Sequence, residues 1–190
     1  MSALHLTLAS ASPRRRDLLA RLGIEPDAVQ PADIDETPLK AERPRDYALR
    51  MGLEKAAAIE ASGFVLAGDT VVAAGRRILP KTETEGEARN CLELLSGRRH
   101  TVLSSVVLRS PDGTTRSGLQ ESTVRFKVLS REEVNAYIAG DEWRGKAGGY
   151  AIQGSAEGLI QWIKGSHSGI MGLPLYETRA LLKAAGFVIG

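Results

Sequence analysis

A chain of 190 residues that is 43% hydrophobic and 25% charged has the composition of an ordinary globular protein, with one large domain or two small lobes. Its net charge of +2 argues against nucleic acid as a partner, and no apolar run approaches the ~20 residues that a membrane span needs. The single cysteine excludes an internal disulfide and, with no signal-peptide pattern, predicts a cytoplasmic protein.

The first predicted unit is a strand followed by a short helix with an unusual charge distribution. Alternating leucines over residues 4–8 predict a strand with one buried face, and Ser12 as N-cap, Pro13 and a stop at Gly23 predict the helix. Cations at Arg14–Arg16 in the first turn are disfavoured by the helix dipole by ~0.3–1 kcal/mol each. A polyphosphate bound at this helix N-terminus would make the position of the arginines favourable. The segment therefore predicts a phosphate cradle, with an exposed basic turn as the alternative.

A polar passage over residues 25–45, rich in proline, carries the acidic residues Asp33, Asp35 and Glu36. Such a passage is typical of a solvated loop. The alternative is a metal or proton-transfer site that lies opposite the arginines.

A helix is predicted next, from Pro44 to Ser62 and closed by Gly63. Its apolar residues recur at helical spacing and predict a buried stripe of Leu49, Leu53, Ala56 and Ala57. Because Lys55 lies off this stripe, the pattern by itself predicts a solvated lysine.

The stretch from Phe64 to Ala74 is almost continuously apolar and predicts a buried strand. Asp69 interrupts it, and a buried carboxylate is costly unless it is paired, hydrogen-bonded or metal-bound. We interpret Asp69 as an acid at a cleft, because Gly68 and Thr70 on either side permit close approach of a ligand. A structural hydrogen-bond anchor is the alternative.

The second half of the chain predicts further strands over residues 100–109, 123–129 and 159–164, and a last helix that ends at Gly186. Capping boxes at Thr84/Glu87 and Ser130/Glu133 predict two more helices, the first with Cys91 as a core thiol. Crossovers mixed with hairpins predict an α/β fold, a mixed twisted sheet with flanking helices and a cleft, in one domain over residues 1–190.

The motifs of several common enzyme classes are absent from the sequence. The sequence has no P-loop motif (GxxxxGK followed by Ser or Thr) and no dinucleotide-binding motif (GxGxxG). It also lacks the zinc-binding motifs HExxH and CxxC and the GxSxG motif of serine hydrolases. The chain offers instead scattered cations, small hydroxyls and isolated acids, namely Arg14, Arg15, Lys55, Lys81, Lys146, Ser10, Ser12, Thr70, Glu36 and Asp69. This set suits phosphate chemistry, in which cations hold a polyphosphate and acids hold a metal or deprotonate water.

Five segments, in this order and spacing, resemble the Maf family of nucleotide pyrophosphatases: LASASPRRRDLL, AGDTVV, LLSGRRH, KAGGYAIQG and GLPL. The resemblance runs from about Leu6 to Leu182. It implies an elongated two-lobed fold with a central cleft, like that of the ITPases, and hydrolysis of a nucleoside triphosphate to the monophosphate and pyrophosphate. A divalent cation, magnesium or manganese, and a homodimer are common among such proteins.

The resemblance also implies roles for individual residues. It matches Asp69 to the proton acceptor of the family. The phosphate-binding positions that it matches are Ser10, Arg14 and Arg15. Further active-site positions are Glu36, Lys55 and Lys81. Positions tied to substrate choice are Arg14, Thr70 and Gln153.

The glycine-rich segment KAGGYAIQG resembles the branch that acts on dTTP and UTP more than the branch that acts on methylated GTP. Three positions depart from the usual pattern. Gly145 stands where an aspartate is frequent, Gly149 where alanine is common, and Thr82 where proline is usual. The first two lie in the expected base-recognition loop, so they concern substrate preference rather than the type of reaction.

These residues lead to a mechanistic hypothesis. A metal held by Glu36 and Asp69 bridges the triphosphate, Asp69 orients or deprotonates a water that attacks the α-phosphorus, and pyrophosphate leaves toward the cations. Two other readings stay open: a nucleotidyltransferase, which needs an acceptor molecule, and a non-enzymatic module that binds nucleic acid or division proteins through its basic patches.

Overall fold

The computed structural model describes residues 4–189, so the predicted domain of residues 1–190 extends past the described part at both ends. The strands are β1 (Leu6–Leu8), β2 (Ala28–Val29), β3 (Phe64–Ala67), β4 (Thr70–Ala74), β5 (Arg77–Leu79), β6 (Lys81–Thr82), β7 (Arg99–Arg109), β8 (Thr115–Phe126), β9 (Lys146–Ala147) and β10 (Ile160–Lys164). The helices are α1 (Pro13–Ala20), α2 (Pro44–Ala57), α3 (Glu85–Leu95), α4 (Arg131–Ala139), α5 (His167–Met171) and α6 (Leu175–Ala184), with a 3₁₀ turn at Ser155–Leu159.

Eight of these strands form one mixed sheet, which confirms the predicted α/β class. The order is β10-β8-β7-β3-β1-β2, and β4 pairs with β7 and with β5. β1 runs parallel to both of its neighbours, whereas the long β7–β8 ribbon is antiparallel. A separate pair, β6 and β9, joins the segment after β5 to the glycine-rich loop.

Apolar cores cover both faces of the sheet because alternate residues of each strand point to opposite sides. Val102 and Val106 of β7 pack with helices α1 and α3–α6, whereas Leu103 and Val107 pack on the side of α2. The prediction that β1 has a single buried face is wrong. Because both faces of the sheet are covered, β1 buries Thr7 as well as its leucines.

The predicted helix starts are correct, but within the described residues Ser12 takes the N-cap position of α1 without a side-chain capping hydrogen bond, and several boundaries differ. Both predicted capping boxes are formed, and Cys91 is buried in the core. Helix α1 begins after Ser12 but ends at Ala20, and Gly23 lies in the following turn with a φ of +69°. The predicted strand over residues 123–129 begins at Thr115 and ends at Phe126, which leaves Val128 exposed. Helix α5 has no counterpart among the predictions.

Helix α2 differs most from its prediction. It ends at Ala57 rather than Ser62, and Leu53, expected in the buried stripe, is exposed. The helix approaches β7 through a small residue, because a Cβ on Gly52 would lie 2.6 Å from Ser105 Oγ. The predicted stripe is based on the large apolar residues. The helix instead packs against β7 through the face that carries Gly52 and Lys55, because Gly52 lets the two elements approach closely.

Within the described range of 4–189, the helices are too short or too polar to cross a bilayer.

Candidate active site

A cleft of about 570 Å³ opens where the β1–α1 turn, the β3–β4 connection and the glycine-rich loop meet. All the candidate residues predicted from the sequence line it, namely Ser10, Ser12, Arg14, Arg15, Glu36, Lys55, Asp69, Thr70, Lys81, Lys146 and Gln153. The structure therefore brings together side chains from six separate parts of the chain.

Arg15 ties three walls of the cleft to one another. Its Nε donates to the Gly172 carbonyl at 2.8 Å, Nη1 to Ser10 Oγ at 3.1 Å, and Nη2 to Thr70 Oγ1 at 3.2 Å. Burial lowers the pKa of Arg15, and the negative charges of Asp69 and Glu36 act in the opposite direction. The guanidinium thus lies within electrostatic reach of both acids.

The other two arginines of the cluster differ in their surroundings. Arg14 lines the cleft, and its buried Nε has no hydrogen-bond partner among residues 4–189. Burial and then the charge of Arg15 lower the pKa of Arg14. Arg16 points outward and lies 3.9 Å from Glu25 on the surface. Two cations at the N-terminus of α1 therefore face the cleft, where an anion would compensate their charge.

Across the cleft, two acids and two lysines form a continuous chain of ion pairs. Lys55 Nζ lies 2.7 Å from Asp69 Oδ1 and 2.8 Å from Glu36 Oε1. The other oxygen of Glu36 lies 2.6 Å from Lys81 Nζ. Burial alone would raise the pKa of Glu36, but hydrogen bonds from Lys55 and Lys81 hold it below its usual value. Direct pairing with the two lysines thus favours the charged form of Glu36.

Lys55 is the clearest difference between pattern and structure. The helical stripe predicts a solvated lysine, yet only 5% of Lys55 is exposed. That prediction is wrong because the acids that neutralise the ammonium come from other segments, and a paired charge can be buried. The position agrees with the cleft location that the family resemblance implies.

Asp69 is held by an interruption in the sheet. The strand predicted from Phe64 to Ala74 is divided into β3 and β4, which pair with β7 on either side of Gly68 and Asp69. The backbone N–H of Asp69 donates to Ser105 Oγ at 3.0 Å, and its carbonyl accepts from the Ser105 N–H at 2.9 Å. The carboxylate is thereby directed away from the ladder and into the cleft, with 4% of the residue exposed.

Glu36 is the single member of the acidic passage that faces the cleft. Asp33 and Asp35 are exposed, as expected for a solvated loop, whereas Glu36 is partly buried and paired with two lysines. Its carbonyl accepts a hydrogen bond of 2.7 Å from the hydroxyl of Tyr47 on α2. The passage is therefore solvated at Asp33 and Asp35, whereas Glu36 lines the cleft, and its role in metal binding or proton transfer stays a prediction.

A second contact to α2 fixes the loop that follows Glu36. Arg50 donates to both oxygens of Glu42 at 2.7 Å and to the Thr37 carbonyl at 3.2 Å. A bidentate pair of this kind fixes orientation as well as distance. Helix α2 thus positions both Lys55 and, through this clamp, the carboxylate of Glu36.

The glycine-rich loop forms the remaining wall. Lys146 Nζ donates to the Arg144 carbonyl at 2.8 Å, and burial followed by the charge of Arg14 lowers the pKa of Lys146. Gln153 is exposed at the edge of the cleft. Below the loop, the Tyr150 hydroxyl lies 2.8 Å from His100 Nε2 on β7.

The loop's glycines meet a backbone requirement. Gly149 has a φ of +70°, and a Cβ there would lie 3.2 Å from the Cα of Ala88. An alanine at this position would be strained in this conformation.

Residues 4–189 contain no group of three or more His, Cys, Asp or Glu side chains arranged to hold a metal ion. The two cleft carboxylates nevertheless fit a magnesium-type ion. Both lie within hydrogen-bonding distance of the same ammonium, so Glu36 and Asp69 can reach a common cation. Mg²⁺ is usually bound through one or two carboxylates together with substrate phosphates and water.

Several residues that shape the cleft escaped the sequence reasoning. The Gly172 carbonyl holds Arg15, and Ser105 holds Asp69. Tyr47 and Arg50 hold the loop that carries Glu36. Ser104 and Ser105 did carry a signal, because two adjacent hydroxyls within an apolar strand need partners when they are buried. The Gly172 carbonyl, and the hydrogen bonds from Tyr47 and Arg50 to the carbonyls of Glu36 and Thr37, involve backbone acceptors, which no residue type reveals.

Comparisons with known proteins give one consistent result. A family model described as Maf-like protein matches residues 5–185. The dTTP/UTP pyrophosphatase of Novosphingobium aromaticivorans is 64% identical over 184 residues, which cover 95% of this chain and 92% of that protein. The dTTP/UTP pyrophosphatase of Caulobacter vibrioides is 57% identical over 185 residues, 96% of each chain.

Among solved structures, a HAM1 protein from Coxiella burnetii matches with a TM-score of 0.54 at 15% identity. The match covers 96% of this chain and 100% of that chain, and it concerns the fold alone.

Proposed function

The chain belongs to the Maf family, and on that basis we propose that it hydrolyses nucleoside triphosphates, dTTP and UTP in particular, to the monophosphate and pyrophosphate. The observation that carries the proposal is the composition of the cleft. Arg14 and Arg15 at the N-terminus of α1 share it with the paired acids Glu36 and Asp69. A binding site for a polyanion thus lies beside groups able to act on it.

The phosphate end of the proposed site is the β1–α1 turn. Helix N-termini bind phosphates through their free N–H groups and dipole, and Arg adds forked charge-assisted hydrogen bonds. Arg14, whose buried Nε lacks a protein partner among residues 4–189, and Arg15 supply those forks. Ser10 lies beneath them and orients Arg15 by accepting from Nη1.

The proposed reaction is attack of water on the α-phosphorus. Asp69 accepts the proton of the water, the new P–O bond forms, and the bond from the α-phosphorus to the bridging oxygen breaks. Pyrophosphate leaves with the electron pair of that bond, and Lys55, Lys81 and Arg15 neutralise its developing charge. Preorganised cations of this kind are most effective where charge develops in the transition state.

We assign Glu36 and Asp69 as the residues that would hold a divalent cation, Mg²⁺ or Mn²⁺. Such an ion would supply charge neutralisation for the triphosphate. The groups that we propose contact the nucleoside are Thr70, which follows Asp69, and Lys146 and Gln153 of the glycine-rich loop. The amide of Gln153 both donates and accepts hydrogen bonds, which suits the edge of a pyrimidine base. The homodimer, the cytoplasmic location and the single domain stay predictions.

Pyrophosphate release tests the proposal. Purified protein is incubated with dTTP, UTP, CTP or methylated GTP, with and without Mg²⁺, and with no acceptor other than water. We expect Mg²⁺-dependent release that is fastest with dTTP and UTP. Equal rates on all four nucleotides would contradict the base preference, and no release from any of them would contradict the activity. A nucleotidyltransferase would require an added acceptor.

The variant Asp69→Asn tests the catalytic assignment. It keeps the shape of the side chain but removes the proton acceptor, so we expect kcat to fall about 10³-fold. The control is Asp33→Asn, which changes an exposed acid of the same loop that carries Glu36 and should leave kcat unchanged. Retained turnover in a folded Asp69→Asn protein would disprove the role of this residue.

A further inference from the structure

Lys55 occupies the position between the two acids that we assign to the divalent cation. Its ammonium contacts one oxygen of Asp69 and one oxygen of Glu36, and Lys81 contacts the second oxygen of Glu36. Three of the four carboxylate oxygens therefore already have an ammonium as a neighbour. The side chain of Lys55 is 7% exposed, so water does little to screen its charge.

A divalent ion on these oxygens would be close to that ammonium. Mg²⁺ binds carboxylate oxygens at ~2.0–2.1 Å. With Lys55 Nζ at 2.7 Å and 2.8 Å from the same oxygens, the two cations would lie at most about 5 Å apart. Like charges at such a distance repel strongly where screening by solvent is weak.

The net charge of the whole cleft also disfavours binding of a metal ion. Among the described residues that line it, six are cationic, Arg14, Arg15, Lys55, Lys81, Arg144 and Lys146, and two are acidic, Glu36 and Asp69. The nucleotide-free cleft thus carries a net charge of +4 and attracts anions rather than metal ions. A bound triphosphate would offset this positive charge and offer the ammonium of Lys55 a new partner.

We propose that Lys55 excludes divalent cations from the nucleotide-free cleft, so that the metal ion enters together with the triphosphate. Lys55 acts as a counterion that holds the carboxylates of Glu36 and Asp69 in place until phosphate oxygens become the new partners of its ammonium. The four-carbon stem of lysine allows such an exchange of partners. The second half of this inference rests on the proposed function, whereas the first half concerns the protein and the metal ion alone.

Binding of Mn²⁺ to the nucleotide-free, full-length protein tests the first half. Electron paramagnetic resonance of free Mn²⁺ gives its Kd directly and needs no turnover. We expect a millimolar or weaker Kd for the unmodified protein and a Kd at least about tenfold lower for Lys55→Met, which removes the charge but keeps the length of the side chain. Lys81→Met removes an ammonium from Glu36 alone, so it should lower the Kd for Mn²⁺ by a smaller factor.

The matched control is Lys127→Met, which removes the ammonium from another Lys–Glu pair, that of Lys127 with Glu133. It should leave the Kd for Mn²⁺ unchanged. An equal gain for Lys127→Met and Lys55→Met would show a general effect of unpaired carboxylates and would overturn the inference.

Two further outcomes would also overturn it: an unchanged Kd in folded Lys55→Met, and a micromolar Kd for the unmodified protein. The second outcome does not depend on whether the variant folds. Pyrophosphate release is measured separately, so a failure of the proposed hydrolysis remains distinguishable from a failure of the counterion role.

Discussion

At the scale of single residues, Arg15 has two tasks in the cleft. Its guanidinium holds Ser10, Thr70 and the Gly172 carbonyl, which belong to three distant parts of the chain. It also presents charge beside the N-terminus of α1. A planar group with five fixed N–H donors can do both at once, which an ammonium cannot.

The conservative variant Arg15→Lys separates these two tasks. Lysine keeps the positive charge but cannot reach the three acceptors together, so we expect kcat/KM for dTTP to fall about 10²-fold. The free energy of unfolding should fall by about 1–3 kcal/mol, since partly buried acceptors lose their donor. Steady-state kinetics and urea unfolding measure the two effects.

Arg16→Lys is the control for this substitution. Arg16 belongs to the same turn, but its side chain is exposed and lies 3.9 Å from Glu25. Such a surface pair contributes little to stability. A comparable loss in both variants would contradict the special position of Arg15.

At the scale of elements, the interruption between β3 and β4 decides where the acid of the cleft lies. In a continuous strand the side chain of Asp69 would point into one of the two packed faces of the sheet. Instead, two residues leave the ladder while β7 continues beneath them, and Ser105 satisfies the freed backbone groups of Asp69. The interruption requires a glycine, because a Cβ on Gly68 would lie 2.4 Å from the Ser105 carbonyl oxygen.

Gly68→Ala therefore tests the interruption itself. The contact involves backbone rather than a flexible side chain, so the two segments must move apart. We expect a loss of about 1–3 kcal/mol in the free energy of unfolding, as for other overpacked sites. Turnover should fall as well, because Asp69 is the next residue.

Gly86→Ala provides the comparison. Gly86 lies in the first turn of α3, and within the described residues a Cβ there would meet nothing inside 4 Å. This change should be neutral or slightly stabilising. If Gly68→Ala were equally harmless by urea unfolding, the close approach to Ser105 would not matter for the fold.

At the scale of the whole molecule, a buried histidine links the sheet to the wall of the cleft. His100 on β7 is 2% exposed, contacts the Tyr150 hydroxyl at 2.8 Å and stacks on Phe126. Burial lowers the pKa of His100 to about 4. The histidine is therefore neutral at physiological pH, and the glycine-rich loop is anchored to an uncharged network.

The shifted pKa of His100 predicts how stability depends on pH. The unfolded chain binds the proton near pH 6.5 and the folded protein near pH 4, so stability falls as the pH decreases through this window. The total contribution is about 3 kcal/mol. Urea unfolding between pH 7 and pH 4 measures this loss.

The variant His100→Phe isolates the contribution of this histidine. It fills the site without a titratable group, so its unfolding free energy should change less over the same pH range. Carboxylates such as Glu36 titrate in both proteins and cancel in the difference. Identical pH dependence of the two proteins would contradict the assignment to His100.

Features that follow local rules could be predicted from the order of the residues. Ser12 and Pro13 begin α1, two capping boxes begin α3 and α4, and the alternation of strands and helices gives the α/β class. The charge of Arg14–Arg16 at a helix start indicated an anion site for the same reason. Capping, periodicity and the helix dipole act within a few residues, so the residue order contains them.

The burial and pairing of the polar side chains in the cleft depend on contacts between distant parts of the chain. Lys55 is buried because it meets Asp69 and Glu36, Arg15 differs from Arg16 because its acceptors include a carbonyl 157 positions away, and Glu36 differs from Asp33 because α2 holds its loop. A charged group can leave water only where partners replace it. Those partners come from distant parts of the chain, and no local pattern in the sequence specifies where they meet.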